Sequence, residues 1–371
     1  MARQRQAGMT RPRIAYVINS LEGGGAALPV PAVARVLREN GADVRVFALL
    51  RRDGRALPPM LEAGLDPAIR EGSAGDHLAA ARWLRREVKE WGATHLWTSL
   101  SRATILGLLL GPVIGLPVIA WQHNAFLKPW NRRLLRALQS RAQVWVADSR
   151  SVADLSVERL GVTPERLATW PIYFADEAMP QAPAWSPGQP LRLGSLGRLH
   201  PAKGYDVLIG ALARLRNEGF AAPVPFTIEI AGEGSQRARL EELAKQAGLD
   251  VLSLAGYTDA PYGFLSGLNL YLQPSRAEGF CIAAHEAMTA GLPVIGSRVG
   301  EMPYSIRPGE TGWLVDPGDV ASLGDALSFA LSEPGRLASI GAAARDTMYT
   351  RFSWDSFSMI GREIMARIGK T

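Results

Sequence analysis

Two glutamates eight residues apart, Glu278 and Glu286, lie in the segment whose side chains are best suited to binding a ligand. An apolar stretch with the alternation of a β-strand ends just before them at Pro274, and residues 281–290 predict a helix. Glu278 then lies at the carboxyl end of a parallel strand, where α/β sheets bind ligands, and Glu286 lies about one and a half turns into the helix. We expect one carboxylate to reach the tip of an elongated ligand and the other its tail, as a sugar nucleotide would require.

Two cations five residues apart, Arg198 and Lys203, occupy a turn between a predicted strand and the helix that follows it. Arginine offers a planar fork and lysine a point charge, and a helix N-terminus adds unpaired amides, so the turn suits a diphosphate. Taken alone, the pattern also describes an ordinary loop with exposed cations. The glutamate pair favours the ligand site.

The first half of the chain opens with a β-branched strand at residues 13–18, a glycine-rich turn containing Gly23, Gly24 and Gly25, and a predicted helix. A second strand follows Gly41, which is the beginning of a doubly wound sheet. Bare glycine amides can approach a phosphate or a sugar hydroxyl. The dinucleotide fingerprint is incomplete, because Leu28 stands where its third glycine belongs.

The length of 371 residues favours two α/β domains, and 47% hydrophobic residues are typical of a globular protein. Residues 172–190 contain four prolines and little periodicity, and the strand and helix pattern then begins again. We predict two Rossmann-like domains with doubly wound parallel sheets that face each other across a cleft. The predicted boundaries are a basic disordered leader at 1–12, an N-terminal domain at 13–175, a linker at 176–190, a C-terminal domain at 191–352 and a final helix at 353–371.

The net charge of +6 is concentrated in the first half, where residues 1–185 carry 24 Lys and Arg against 16 Asp and Glu. No acidic residue occurs between Glu90 and Asp148, and the segment Lys128–Arg141 is rich in cations. Such a surface would attract anionic lipid, a diphosphate-linked acceptor or nucleic acid, although it also fits a solvated basic helix. With Trp130 and three leucines, the segment predicts a contact with an anionic membrane, unless the leucines face the core.

Cys281 is the only cysteine, which predicts a reducing, cytoplasmic setting without a disulfide framework. The sequence has neither zinc-ligand spacing nor an Asp-x-Asp pair, so we expect neither a metal nor another cofactor. Residues 1–13 lack the apolar core of a signal peptide. The uncharged run at 103–121 is interrupted by Pro112, Pro117 and several glycines, which predicts a short helix, a turn and a strand rather than a membrane span.

The second half resembles family 4 of the retaining, nucleotide-sugar-dependent glycosyltransferases nearly from end to end. The matching segments, in order, are Gly194–Arg198, Lys203–Leu208, Ile230–Gly234, Leu254–Gly256, Glu278–Phe280, Glu286–Met288 and Gly291–Ile295. The first half is similar more loosely, through residues 14–25, the helix before Gly41 and residues 121–124. The resemblance implies the two-domain GT-B fold, in which the last helix crosses back to the N-terminal domain.

The resemblance also assigns roles to residues of a donor site. It implies that Arg198 and Lys203 hold the donor diphosphate, that Glu286 binds the ribose and that Glu278 binds the transferred sugar. His123 would face the sugar and diphosphate. The remaining residues that it places at the donor are Gly24, Gly25, Gly197, Gly232, Gly279, Phe280 and Cys281. The implied partners are a nucleotide-sugar donor and a glycan or lipid-linked acceptor, with no nucleic acid, no metal and no protein general base.

The chain departs from the family pattern at four places: Ala27 in the first loop, Pro171–Tyr173 before the linker, Glu301 where a glycine is usual, and Tyr304 where an acid is usual. Other enzymes remain open on the same scaffold, namely a nucleotide-sugar epimerase or a phosphorylase, and so does a non-catalytic nucleotide-binding or nucleic-acid-binding protein. A carboxylate pair alone would also permit the acid and base of a glycosidase.

Overall fold

The structure is a computed structural model that describes residues 11–124 and 127–369. The described chain forms two compact units. The first contains residues 11–123, 127–172 and 358–369, and the second contains residue 124 and residues 173–357. Most of the predicted leader, residues 1–10, lies outside the described residues, as do residues 370–371 at the end of the predicted final helix.

The first unit is built on a parallel sheet with the order β3-β2-β1-β4-β5-β6-β7. Its strands within the described ranges are β1 (Arg13–Ile18), β2 (Asp43–Ala48), β3 (Ala68–Ile69), β4 (His95–Ser99), β5 (Val118–Gln122), β6 (Val144–Ala147) and β7 (Leu167–Thr169). The helices are α1 (Val30–Glu39), α2 (Leu57–Glu62), α3 (His77–Trp91), α4 (Ser101–Ile114), α5 (Pro129–Leu138) and α6 (Arg150–Leu155).

The second unit repeats this plan with a parallel sheet in the order β10-β9-β8-β11-β12-β13. Its strands are β8 (Leu191–Leu196), β9 (Phe226–Ala231), β10 (Leu252–Gly256), β11 (Leu270–Gln273), β12 (Val294–Ser297) and β13 (Gly312–Val315). The helices are α7 (Tyr205–Asn217), α8 (Arg237–Gln246), α9 (Pro261–Ser266), α10 (Ile282–Thr289), α11 (Met302–Ser305), α12 (Val320–Ser332) and α13 (Leu337–Arg351), followed by α14 (Trp354–Ile368).

Both sheets reverse their winding next to their first strand. The chain moves outward from β1 to β3 and returns to β4 beside β1, and it moves from β8 to β10 and returns to β11 beside β8. In open parallel sheets the loops at such a reversal diverge and leave a crevice at the carboxyl ends of the strands. The fold class predicted from the sequence, two doubly wound α/β domains, is confirmed.

The uncharged run of the first unit forms a helix buried on one face, a turn and a strand, but the helix is longer than its prolines and glycines indicated. Helix α4 continues through Pro112 and ends at Gly115, which has a left-handed φ of 71°. Gly107 lies against Thr98 of β4, and Gly111 lies against Val118 of β5, so closely that a Cβ atom at either glycine would overlap its neighbour. Among the described residues, no helix is both long and apolar enough to cross a bilayer.

The segments at the predicted domain borders are packed within the units. Tyr173 donates its hydroxyl to the carbonyl of His285 at 3.1 Å, and the amide of Ala182 donates to the carbonyl of Ala290 at 2.7 Å, both within the second unit. In the last part of α14, Gly361 packs closely against Val36 and Trp170 of the first unit.

Candidate active site

The carboxylate of Glu278 is held by three donors at the carboxyl end of β11. Its Oε1 atom accepts hydrogen bonds from Lys203 Nζ at 2.7 Å, Ser275 Oγ at 2.6 Å and Gln273 Nε2 at 2.9 Å. No hydrogen bond among the described residues uses the other oxygen, Oε2. The carboxylate is therefore fixed through one oxygen, and the second can accept from the hydroxyls of a ligand.

Gln273 and Ser275 were not identified from the sequence, although they stand directly on either side of Pro274 at the end of β11. Both side chains are buried. Leu196 donates its amide to the Tyr271 hydroxyl at 3.0 Å, and this hydroxyl lies 3.1 Å from Gln273 Oε1. The single Tyr271 hydroxyl proton faces two acceptors at 3.1 Å, the Leu196 carbonyl and Gln273 Oε1. The contact with Oε1 leaves the amide nitrogen of Gln273 facing Glu278.

Lys203 reaches Glu278 because two loops approach each other closely. Gly204 has a left-handed φ of 67°, and a Cβ atom there would overlap the carbonyl of Pro274. Only glycine satisfies both conditions without strain. Burial is the largest single influence and lowers the pKa of Lys203, but the charge and hydrogen bond of Glu278, together with Tyr205 and Cys281, raise it by more, so the net effect is a raised pKa and a protonated ammonium group.

Arg198 lies in the same turn, after β8, and is exposed. The neighbouring backbone is close-packed, because a Cβ atom on Gly232 would overlap the carbonyl of Gly197. Gly232 has a φ of 154°, within the range that side chains rarely adopt. The amides of both glycines are engaged within the sheet, since Gly197 donates to the carbonyl of Ala231 at 2.9 Å and Gly232 donates to the carbonyl of Gly256 at 2.6 Å. The two glycines therefore let the strand ends pack closely, and their amides are not available to a ligand.

Glu286 lies on α10, the helix that follows the loop carrying Glu278. Burial, and after it the charge of Asp176, raises the pKa of Glu286 to about 7. A carboxylate at this position is costly without a partner, and ligand hydroxyls would supply one.

The backbone at the start of α10 is held by a histidine that was not identified from the sequence. His285 is buried, with Nδ1 2.9 Å from the carbonyl of Cys281 and Nε2 2.8 Å from Ser305 Oγ. Burial lowers the pKa of His285 to about 3, so the ring is neutral. Phe280 packs on this ring at 4.2 Å between centroids, and Cys281 has a left-handed φ of 73°. These buried contacts of His285 and Phe280 therefore hold the backbone of the turn before α10 in place.

Two departures from the family pattern are close to this turn. Gly300 packs against the carbonyl of Gly279. Glu301, which replaces a glycine, is buried and accepts a hydrogen bond from Arg351 Nη2 at 2.9 Å. Arg351 and Glu301 are 50 residues apart, so the sequence offered no sign of this pair. Tyr304, which replaces an acid, is exposed.

In the first unit, Gly24, Gly25 and His123 follow the carboxyl ends of β1 and β5. The glycine loop is tied down through the Gly23 amide, which donates to Asp53 Oδ1 at 3.0 Å. Gly24 has no atom within 4 Å of the position that a Cβ would occupy, and Gly25 is exposed. His123 is buried and stacks on Trp121. Within residues 11–124 and 127–369, no group of three or more His, Cys, Asp and Glu residues is arranged to hold a metal ion.

Two family models together match most of the chain. The model "Glycosyltransferase Family 4" matches residues 23–172, and the model "Glycosyl transferases group 1" matches residues 181–347. A D-inositol 3-phosphate glycosyltransferase of Acidothermus cellulolyticus is 28% identical over 90% of this chain and 84% of that protein. A glycogen synthase of Mycobacterium tuberculosis is 31% identical over 55% of this chain and 46% of that protein.

The fold has solved counterparts. HepE of Anabaena, crystallised with UDP and glucose, superposes with a TM-score of 0.81 over 97% of this chain and 100% of that chain, at 18% identity. At this identity the likeness concerns the fold alone. The two matched models establish that the chain belongs to the family 4 glycosyltransferases, and its two parallel sheets together with the HepE counterpart show the GT-B fold.

Proposed function

We propose that the chain transfers a hexose-type sugar from a nucleotide diphosphate sugar to a glycan or lipid-linked acceptor, with retention of the anomeric configuration and without a metal ion. The observation that carries this proposal is the Lys203–Glu278 pair, in which one carboxylate oxygen is held by three donors and the other is left for ligand hydroxyls. Lys203 and Arg198 bind the diphosphate, Glu278 Oε2 binds the sugar and Glu286 binds the ribose.

Lys203 and Arg198 contribute to the rate because negative charge grows on the diphosphate as it leaves. The bond between the anomeric carbon and the phosphate oxygen breaks while the acceptor oxygen bonds to the same face of that carbon. The departing phosphate takes the acceptor's proton, so no protein base is required. Glu278 positions the sugar rather than attacking it, because three donors to Oε1, one of them an ammonium group, stabilise the negative charge and make the whole carboxylate a weaker nucleophile.

The donor is to be identified by a thermal-shift panel of uridine, guanosine and adenosine diphosphate sugars. A donor at about 100 times its Kd stabilises the protein by about 2.7 kcal/mol. This corresponds to a rise in Tm of about 5–10 °C for the domain that binds it. UDP-glucose is tested first, because HepE was crystallised with UDP and glucose. Nuclear magnetic resonance of the product then determines the anomeric configuration of the new glycosidic bond.

The same assays separate the other enzymes that the scaffold permits. An epimerase converts the donor without any acceptor, and a phosphorylase shows the absorbance of lysine-bound pyridoxal phosphate. A product with inverted configuration contradicts retention, and no shift with any diphosphate sugar contradicts the proposal as a whole.

We further propose that α5 and its flanks, Lys128–Arg141, contact an anionic membrane that carries the acceptor. Trp130 is 66% exposed, and Arg132, Arg133 and Arg136 are exposed. Two of the three leucines that the sequence left undecided, Leu135 and Leu138, are buried in the core of the first unit, and Leu134 is half-buried. The contact is therefore mainly electrostatic and is weakened by salt.

Replacing both Arg132 and Arg133 with serine is expected to weaken binding to phosphatidylglycerol vesicles about tenfold or more, since each cation near such a surface contributes about 1 kcal/mol. Vesicle co-sedimentation at two salt concentrations measures the effect. The matched control replaces Arg82 and Arg85, two exposed cations of α3 in the same unit, and is expected to bind like the wild type. Equal losses in both double variants would show a nonspecific charge effect and contradict a docking surface on α5.

A further inference from the structure

Three polar residues from adjacent strands of the first unit form a connected chain of contacts. Ser99 ends β4, His123 follows β5 and Asp148 follows β6, and all three are buried. Ser99 Oγ lies 2.7 Å from His123 Nε2, and Asp148 Oδ2 lies 3.5 Å from His123 Nδ1. The imidazole is therefore flanked by a hydroxyl on one nitrogen and a carboxylate on the other.

The chemistry of the two neighbours determines where the ring carries its proton. A carboxylate only accepts hydrogen bonds, so Nδ1 must be protonated to face Asp148 favourably. In the neutral ring Nε2 is then an acceptor, and Ser99 donates its hydroxyl to it. The indole of Trp121 stacks on the imidazole at 5.3 Å between centroids and an interplanar angle of 21°, which restrains the plane of the ring.

We propose that Asp148 and Ser99 are positioning residues for glycosyl transfer, acting through His123. Asp148 keeps the proton on Nδ1, and Ser99 anchors Nε2, so the ring meets the donor in one orientation and one tautomer. This inference rests on the proposed function and on the expectation, drawn from the family resemblance, that His123 faces the sugar and diphosphate.

The same three residue types form the nucleophilic triad of many hydrolases. Here, however, the burial of Ser99 indicates that Ser99 and Asp148 position the His123 ring and that Ser99 is not a nucleophile. A triad serine must reach a substrate carbonyl. Ser99 has no exposed surface, whereas His123 keeps 9% of its own. The ring is the member of the chain that lies nearest to solvent.

The position of the proton is tested by nitrogen-15 spectroscopy of the histidine rings in the full-length protein. The chain has five histidines, and the signals that vanish in His123→Gln identify His123. We expect a protonated Nδ1 and an unprotonated Nε2 in the wild type. Asp148→Asn, which offers an amide donor to Nδ1, is expected to move the proton to Nε2, and Ser99→Ala is expected to change the Nε2 shift alone. A wild-type ring protonated on Nε2 and not on Nδ1 overturns the proposal, whether or not the enzymatic activity has been identified.

The kinetic consequence is tested with the identified donor and acceptor. Asp148→Asn is expected to lower kcat tenfold or more and to change the donor KM less than threefold. In the His123→Gln background, the same substitution is expected to change kcat less than twofold, because Asp148 acts through the ring. The control Asp154→Asn, an exposed acid on α6 in the same unit, is expected to leave kcat unchanged. Additive losses in the double variant would assign Asp148 a general structural role and overturn the inference.

Discussion

Replacement of Lys203 with alanine is expected to lower kcat/KM for the donor by a factor of about 10²–10³, the usual effect of removing one group that stabilises developing negative charge. The ammonium group donates to Glu278 Oε1 at 2.7 Å. Of the three donors to this oxygen, it is the charged one. Its loss removes charge from the diphosphate site. It also removes one of the three donors that hold Glu278.

Steady-state kinetics with varied donor measures the effect, and circular dichroism confirms that the variant is folded. Lys245→Ala, an exposed lysine on α8 of the same unit, is the matched control and is expected to behave like the wild type. A value of kcat/KM within twofold of the wild type in Lys203→Ala would exclude this residue from the diphosphate site.

Replacement of Glu286 with glutamine is expected to change activity and stability in opposite directions. Donor affinity at pH 8 is expected to fall about tenfold or more, because the amide cannot replace a carboxylate that accepts from both ribose hydroxyls. The free energy of unfolding at pH 8 is expected to rise by about 1–3 kcal/mol, because the folded variant no longer contains a half-buried negative charge at this position. Denaturant titration measures stability, and calorimetry measures donor binding.

The pH dependence of stability follows from the raised pKa of Glu286, about 7 against an ordinary value of 4.5. Between these values the native state retains a proton that the unfolded chain has lost, so this group's contribution makes the wild type less stable as pH rises through the window. The advantage of Glu286→Gln is therefore expected to be largest at pH 8 and to shrink toward pH 5. The control is Glu310→Gln, an exposed glutamate of the same unit, which is expected to change the free energy of unfolding by less than about 0.5 kcal/mol.

Donor binding has the opposite dependence, because only the ionised carboxylate accepts two hydrogen bonds. Wild-type affinity is expected to fall as pH drops below about 7, and Glu286→Gln is expected to show no such fall. Asp176→Asn removes a charge that raises the pKa of Glu286 and is expected to move the midpoint to lower pH. Identical pH profiles for the wild type and Glu286→Gln would show that Glu286 does not titrate in the donor complex.

Much of the second domain's site was accessible from the sequence because its parts are local. Glu278 lies in one loop, Glu286 lies in the helix that follows it, and Arg198 and Lys203 share one turn. The periodicity of the neighbouring strands and helices was therefore enough to predict the position of each residue relative to these elements. The prediction that both segments lie at carboxyl ends of strands holds in the structure, where β8 and β11 are neighbours. The direct contact between Lys203 and Glu278 then follows from two adjacent loops.

The supporting residues were not predicted, since their roles depend on strand order and on contacts over long sequence separations. In the sequence, Gln273 and Ser275 are ordinary residues at a strand end. The structure shows that both donate hydrogen bonds to Glu278 and that the Tyr271 hydroxyl contacts the amide oxygen of Gln273. Ser99 and Asp148 are 49 residues apart, and they reach the same imidazole only because β4, β5 and β6 are adjacent and parallel. In the same way, the replacement of a glycine by Glu301 is explained by an arginine on α13.

The sequence by itself determined the two α/β domains and the residue types of the proposed donor site, because apolar periodicity, glycine turns and charged loop residues can be recognised within short segments. Only the tertiary structure decided which side chains hold the site in place. Hydrogen bonds form between neighbours in space, and in a parallel sheet the neighbours at a strand end come from loops that dozens of residues separate along the chain.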